Sequence, residues 1–134
     1  MNAKTPLNTL IRIDKKSRSF GLYWNNYEEI LNQIKSEYQE VREALIMYPE
    51  HTEEEIGDLL HSLISLCVFL DLNVDKIILQ AIKKYNDRMS ILEDILSTKF
   101  NLTNLHNKPT AFRTRVWKMA KKKHNLVNKN LQCN

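Results

Sequence analysis

Two stretches decide the fold of this chain: Ser36-Glu37-Tyr38-Gln39-Glu40 and Glu54-Glu55-Ile56-Gly57-Asp58. Each stretch holds two carboxylates three residues apart, and residues at that spacing share one face of a helix. Four carboxylates on two facing helices repel one another unless a counter-charge lies between them. Hard oxygen ligands in that number suit a divalent cation such as Mg²⁺, with Mn²⁺ as the alternative. The sequence therefore predicts a metal site with four candidate ligands, Glu37, Glu40, Glu55 and Asp58.

Apolar residues at helical spacing place both stretches on amphipathic helices. The residues predicted to face inward are Ile30, Ile34, Tyr38, Val41 and Leu45 on the first helix and Ile56, Leu59, Leu60, Leu63 and Ile64 on the second. A run of charges on a helix is usually a solvated face, yet Glu37 and Glu40 lie beside the first stripe rather than opposite it. Thr52 and Glu55 also match a capping box, in which the glutamate reaches back to the amide of the threonine. On this local pattern alone, capping is the stronger interpretation of Glu55.

The composition indicates one soluble, helical domain. The chain has 134 residues, of which 43% are hydrophobic and 27% charged, as in ordinary globular proteins. Two glycines and three prolines favour long helices over a turn-rich β fold. No apolar run approaches the roughly 20 residues of a membrane span, so we expect no membrane partner. Cys67 and Cys133 do not make a disulfide framework, and we expect reduced thiols and a cytoplasmic setting.

Periodicity, caps and helix breakers predict five helices, over residues 6–18, 27–48, 52–70, 74–97 and 110–124. Asn25 or Asn26 would cap the second helix, and Asn73 would cap the fourth. On the first helix we expect Leu7, Leu10 and Ile11 to face inward, with Ile13 as a further candidate, and residues 14–18 to be solvated. On the fourth helix the residues expected to face inward are Val74, Ile77, Ile78, Ala81, Ile82 and Tyr85.

The predicted fold class is all-α. We expect a four-helix bundle over residues 1–97, then a loop and an additional C-terminal helix over residues 98–124 that packs on or near the site. A disordered basic tail is expected over residues 125–134.

The charge is unevenly divided along the chain. Residues 1–94 hold 11 of the 20 basic residues and all 16 acidic ones, whereas residues 95–134 hold nine basic residues and no acid. Lys84 and Arg88 lie four residues apart, so they could reach a common anion or form a solvated basic edge. A basic end would also allow nucleic-acid binding, but we favour a solubilising role for the lysines at 121–123. Trp24 is either an aromatic plug of the bundle or a wall of a ligand pocket.

The acidic blocks resemble those of the MazG nucleotide pyrophosphohydrolases, members of the all-α NTP pyrophosphatase superfamily. The family signature is Glu-Glu-x-x-Glu, a spacer, Glu-Glu-x-x-Asp and, later, Lys-x-x-x-Arg. Residues 54–58 match the second block completely, and Lys84 and Arg88 match the third. Two positions depart from the pattern: Ser36 replaces the first glutamate of the first block, and Ile82 replaces an asparagine two residues before Lys84.

Two further segments extend the resemblance. Residues 21–24 look like the Gly-x-x-Trp entry before the first metal helix, and residues 117–121 are similar to a Trp-x-x-x-Lys helix near the end of many members. In all, the resemblance covers about two-thirds of the chain. The fold that it implies is a MazG-like helical domain.

The resemblance implies hydrolysis of a (d)NTP between the α and β phosphates to (d)NMP and pyrophosphate. It gives the four acids as ligands of Mg²⁺, with Glu40 as the candidate that orients the attacking water. Lys84 and Arg88 would stabilise the phosphates. The other implied substrate contacts are Trp24, Trp117 and Lys121, with the two tryptophans stacking on the base.

The family also implies a homodimer or a dimer of dimers and a house-cleaning role. Candidate interface residues are Cys67, Phe69 and the leucine-rich third helix. Ser36 and Ile82 allow altered specificity or weak activity. Three alternatives stay open: a dUTP- or dCTP-directed hydrolase of the same superfamily, a catalytically weak nucleotide- or nucleic-acid-binding module, and a helical interaction module whose acids are simply solvated.

Overall fold

A computed structural model describes residues 5–133 of the chain as helices joined by short loops. The α-helices are α1 (Pro6–Ser19), α2 (Tyr27–Met47), α3 (Thr52–Phe69), α4 (Val74–Phe100) and α5 (Thr110–Gln132), with a 3₁₀ turn at Pro49–His51. Residues 5–133 contain no strand, which confirms the all-α prediction. None of the described helices is long and apolar enough to cross a membrane. The chain divides into two compact units, a first unit up to Ile77 and a second from Ile78.

Local hydrogen bonds explain where the helices of the first unit begin. Asn26 caps α2 by accepting a hydrogen bond from the Glu29 amide at 3.1 Å. The Glu29 carboxylate in turn accepts from the Asn25 amide at 2.9 Å, which holds the entry to the helix. Asn73 accepts from the Lys76 amide at 3.0 Å, as predicted for the cap of α4. Gly21 has φ +92, a conformation that glycine adopts without steric cost, and it turns the chain between α1 and α2.

The capping box predicted at Thr52 and Glu55 is wrong. Thr52 already has helical φ and ψ of −57° and −42°, and His51 precedes it without a side-chain cap. The reason is the 3₁₀ turn at Pro49–His51, which leads directly into α3 and leaves no extended residue at Thr52. Glu55 is therefore not used as a cap, and its carboxylate is available to other groups.

The buried face of α2 is rotated from the predicted stripe. Ile30 and Ala44 are buried, whereas Tyr38 and Leu45, which were expected inside, are exposed. The residues that face α3 follow the heptad positions 30, 34, 37, 41 and 44, all of them buried or half-buried. Glu37 belongs to this stripe and is only 9% exposed. An acid thus occupies a position that the helix period would give to an apolar residue.

α3 turns a largely polar face inward. Ser62 and Ser65 are buried and Glu55 is half-buried, while three apolar residues expected inside are exposed, namely Ile56, Leu60 and Leu63. Sequence periodicity cannot reveal this, because the apolar face has the same period as the polar face that packs on α2. The contacts between α2 and α3 therefore bring polar groups of both helices together.

The core of the second unit is formed by α4 and α5. Its buried residues are Leu92, Ile95, Leu96, Val116 and Ala120. The α4 residues that belong to this core begin near Met89. The residues of α4 before it that were predicted to face inward are instead exposed, namely Ile77, Ile78, Ala81, Ile82 and Tyr85. Val74 is buried as expected.

Both helices of the second unit end later than predicted. α4 continues to Phe100, where Asn101 has φ +52 and the Leu102 amide donates to the Leu96 carbonyl at 2.9 Å, a left-handed helix stop. α5 continues to Gln132, into the stretch predicted to be a tail. No glycine or proline follows Pro109, so the sequence contains no residue that would break α5 at position 124.

Gly57 offers a direct test of the local packing of α3. A Cβ at this position would meet no atom within 4 Å, so the glycine does not serve close helix packing. We expect Gly57→Ala to raise the free energy of unfolding by about 0.5–1 kcal/mol, because alanine loses less backbone entropy in a helix. Urea denaturation in EDTA measures this change.

The matched control is Gly21→Ala, at the position with φ +92. This substitution should lower stability, since a side chain is strained in that conformation. A destabilised Gly57→Ala variant would contradict the open surroundings of this residue.

Candidate functional site: an acidic cluster between two helices

Three of the four predicted metal ligands meet between α2 and α3. One carboxylate oxygen from each of Glu37, Glu55 and Asp58 lies within 4.8 Å of the others. Glu37 is buried, Glu55 half-buried and Asp58 exposed, so the cluster opens from the helix interface to solvent. The pairing follows from the fold: α3 presents Glu55 and Asp58 from one face, and α2 places Glu37 in the stripe that packs on it.

The surroundings of Glu37 fit a cation. Its Oε1 accepts a hydrogen bond from Gln33 Nε2 at 2.5 Å, but its buried Oε2 has no hydrogen-bond partner among residues 5–133. A buried carboxylate oxygen without a donor is costly unless a positive charge compensates it. Three carboxylates with open solvent access form a suitable donor set for a hard divalent ion such as Mg²⁺. The residues present therefore fit the metal site expected from the sequence.

Glu40 lies one turn beyond Glu37 at the exposed rim of the cluster. Its oxygens are not part of the three-residue group, but its carboxyl is affected by it. A hydrogen bond to Glu37 and the negative charge of Glu37 raise the pKa of Glu40 above its ordinary value of 4.5. Slight burial and the charges of Glu55 and Asp58 raise this pKa further. A carboxylate with a raised pKa is better suited to accept a proton than an ordinary surface glutamate.

Trp24 lines a cavity of the first unit that holds about 460 Å³. The other lining residues are Asp14, Ser17, Arg18, Gly21, Leu22, Tyr23, His61 and Ser65. Trp24 therefore lines a cavity, and its role as the wall of a ligand pocket stays a prediction. The cavity combines aromatic surface with a few polar groups, the usual composition of small-molecule sites.

Asp14 was predicted to be solvated, and this prediction is wrong. Its side chain is buried, with 6% of the residue exposed, because α1 packs against α3. Ser65 Oγ donates a hydrogen bond to Asp14 Oδ1, and His61 Nε2 lies 3.2 Å from the same oxygen. The sequence held a signal for this pair: two polar residues four apart interrupt the apolar run of α3, and so share a face.

Lys84 and Arg88 line a different cavity, in the second unit, of about 440 Å³. It is lined from α4 by Gln80, Lys83, Lys84, Asp87 and Arg88, and from α5 by His124, Asn125 and Asn128. Sequence reasoning missed the α5 residues; Asn125 and Asn128 lie beyond position 124, where the last helix was expected to end. The two cations share a face of α4, and the cavity is open to an anion.

Trp117 and Lys121 line neither of these two cavities. Trp117 packs against the core of the second unit, with its ring centroid 5.7 Å from that of Tyr85. Lys121 is half-buried on the next turn of α5. Thus three acids form one cluster, Trp24 lines a cavity of the same unit, and the predicted phosphate-binding cations share a cavity of the other unit.

Comparisons with known proteins identify the family of the chain. The family model of the MazG nucleotide pyrophosphohydrolase domain matches residues 25–91, half of the chain. A similar relative is the nucleoside triphosphate pyrophosphohydrolase/pyrophosphatase MazG of Thermotoga maritima, 31% identical over 85 residues. The match covers 63% of this chain and 32% of that relative, so the chain spans about a third of its length. No solved structure matches. On the strength of the family match, which includes all four acids, Lys84 and Arg88, the chain belongs to the MazG nucleotide pyrophosphohydrolase family.

Proposed function

We propose that the chain is a Mg²⁺-dependent nucleoside triphosphate pyrophosphohydrolase that cleaves a (d)NTP between its α and β phosphates. The observation that carries this proposal is the cluster of Glu37, Glu55 and Asp58, whose oxygens lie within 4.8 Å on two facing helices of a MazG domain. A cluster of three carboxylates, one of them with a buried, unpaired oxygen, opposes folding unless a positive charge compensates it. These acids suit a site that neutralises phosphate charge.

Glu37, Glu55 and Asp58 would hold the cation, which supplies charge neutralisation to the phosphate oxygens. Glu40, at the rim of the cluster, would orient a water for in-line attack and take its proton, consistent with its raised pKa. Glu40 is also the candidate for a fourth ligand of the cation. Ser36 replaces the family's first acid, and it is exposed on α2. Glu40 is then the nearest remaining carboxylate for the water.

Lys84 and Arg88 would bind the β and γ phosphates and stabilise the leaving pyrophosphate. Phosphoryl transfer depends mainly on positioning and charge stabilisation, and a guanidinium fork binds two phosphate oxygens at once. Support comes from the shared cavity that both side chains line. Trp117 and Lys121 remain candidates for substrate contact, although they lie outside that cavity.

The base of the nucleotide would lie against Trp24, in the cavity that Asp14 closes on one side. His61 and Asp58 are three residues apart on α3, which puts them about 4.5 Å apart along the helix axis. A nucleoside in this cavity would thus have its phosphates near the acidic cluster. Asp14 is the acidic residue that lines this cavity, so it is the first residue to consider for base preference.

We propose in addition that the chain forms a homodimer or a dimer of dimers. The support is the apolar surface that the first unit exposes: Leu45, Ile46 and Met47 at the end of α2, and Ile56, Leu60 and Leu63 on α3. Groups of exposed apolar side chains often mark protein–protein interfaces. The predicted interface residues Cys67 and Phe69 are half-buried within the unit and leave less surface to a partner.

The first test is pyrophosphate release from a panel of NTPs and dNTPs with Mg²⁺. We expect turnover by the parent chain and its loss in Glu37→Gln and Asp58→Asn, by more than the about 10–100-fold that loss of an outer-sphere partner costs. The control is Glu43→Gln on the same helix, an exposed acid outside the cluster that should keep activity. Turnover that survives both ligand variants would exclude the site. No turnover with any nucleotide would favour the weak binding module over the enzyme.

Glu40→Gln should stabilise the chain without metal. The pKa of Glu40 is raised in the folded state, so its ionisation opposes folding once the pH rises through that pKa. We expect a higher thermal midpoint for Glu40→Gln than for the parent at pH 7 in EDTA, and no difference below its ordinary value of 4.5. Excess Mg²⁺ should reverse the order of the two midpoints, since it stabilises the parent more. Equal midpoints at pH 7 in EDTA would mean that the acids do not interact.

Trp24→Ala should raise KM for nucleotides about 5–150-fold, since stacking on a base is worth about 1–3 kcal/mol. Trp24→Phe keeps an aromatic face and should recover most of the affinity. Steady-state kinetics of both variants measure this, with thermal unfolding to separate loss of binding from loss of fold. An unchanged KM in a folded Trp24→Ala variant would make the tryptophan a structural plug.

A further inference from the structure

The cavity between α4 and α5 carries two uncompensated positive charges. Lys83 Nζ lies 2.7 Å from Asp87 Oδ2, so these two groups neutralise each other. Lys84 and Arg88 form no ion pair with a carboxylate among residues 5–133. From α5, Asn125 and Asn128 add side-chain amides to the same wall. A cavity with free cations and amide donors is chemically suited to an oxyanion.

His124 fixes one end of Arg88. The histidine is 5% exposed, and its Nδ1 lies 3.4 Å from Arg88 Nε. A guanidinium nitrogen can only donate, so Nδ1 must be the acceptor. The ring hydrogen of a neutral histidine then lies on Nε2, which faces the Asn128 amide at 3.3 Å and lies 4.0 Å from Asp87 Oδ2. A rotation of the Asn128 amide by about 180° places its oxygen, an acceptor, against this ring hydrogen.

The contact leaves the working end of the guanidinium free. The terminal nitrogens of Arg88 have no hydrogen-bond partner among the described residues, whereas Nε is engaged by the buried ring. An arginine held through Nε presents its two terminal nitrogens in a fixed direction, which lowers the entropy lost when it binds two oxygens of a phosphate. The ring sits on a packed helix, because Val116 and Ala120 of α5 are part of the core.

We propose that His124 is a positioning residue for Arg88, and that Asn125 and Asn128 complete a pyrophosphate-binding site with Lys84. The ligand class is a di- or triphosphate group, whose adjacent anionic phosphates suit two free cations and amide donors. The cavity volume of about 440 Å³ lies within the about 300–1,000 Å³ of small-molecule sites. The inference rests on the proposed function, since it assigns new residues to its phosphate end. All three α5 residues lie outside the family match at residues 25–91.

Binding of inorganic pyrophosphate to the full-length chain in EDTA tests the proposal without metal or turnover. Isothermal titration should give binding by the parent, and about tenfold weaker binding by His124→Leu, the effect of losing about one hydrogen bond. His124→Asn should keep most of the affinity, because the asparagine oxygen can replace Nδ1 as the acceptor. Asn125→Ala and Asn128→Ala should each weaken binding by a smaller factor.

Solvent exchange of the Arg88 Nε–H distinguishes a positioning role of His124 from a purely structural one. If His124 positions Arg88, this resonance should exchange slowly with solvent in the parent and in His124→Asn, and rapidly in His124→Leu. The matched control is His106→Leu, an exposed histidine in the loop before α5 that should change neither measurement. Circular dichroism of each variant verifies that α5 is intact.

The outcomes separate this inference from the proposed function. No pyrophosphate binding by the parent, equal binding by His124→Leu, or His124→Asn as weak as His124→Leu would each overturn the inference. If nucleotides are not cleaved but pyrophosphate binding follows the predicted order, the anion site stands and the hydrolase proposal fails. If nucleotides are cleaved while His124→Leu binds pyrophosphate normally, the hydrolase stands and His124 has no part in it.

Discussion

The burial of one carboxylate, that of Glu37, constrains the rest of the first unit. Its position in the packing stripe of α2 brings it to α3, where one of its oxygens has no hydrogen-bond donor. A buried, unpaired carboxylate oxygen opposes folding, and two further acids within 4.8 Å increase this opposition. The stability of the helix pair without metal must therefore come from other contacts, and a cation between the helices would add to it by binding only the folded chain.

This constraint explains the unusual orientation of α3. To face Glu37 with Glu55 and Asp58, the helix must also turn Ser62 and Ser65 inward, because these polar residues follow at helical spacing. The same rotation places Ile56, Leu60 and Leu63 on the outside, although these side chains are strongly apolar. The buried Ser65 donates a hydrogen bond to Asp14. The polar face of α3 therefore continues from the acidic cluster to the cavity that Trp24 lines.

The sequence was sufficient for the number of helices, their starts and three acids of the cluster, because each has a local signal. Asn26 and Asn73 cap the helices they were predicted to cap, since capping depends on bonds across three residues. The burial of Asp14 could not be predicted, because its partners lie 47 and 51 residues away and only tertiary packing brings them together. The capping box predicted at Thr52 is likewise absent. The preceding 3₁₀ turn leads directly into α3, so Thr52 does not adopt the extended conformation that the motif needs.

The charge division along the chain gains a structural meaning from α5. Basic residues in a disordered tail would act only through their total positive charge. A helix anchored by Val116 and Ala120 instead holds each side chain at a fixed position. Lys123 Nζ lies 3.4 Å from Asp94 Oδ2, so part of this positive charge is neutralised within the unit. What α5 offers at the cavity of Arg88 is a ring nitrogen that accepts a hydrogen bond from Arg88 and two amides, rather than further lysines. Hydrogen-bond acceptors can orient a cation without repelling it, and orientation is what phosphate recognition by arginine requires.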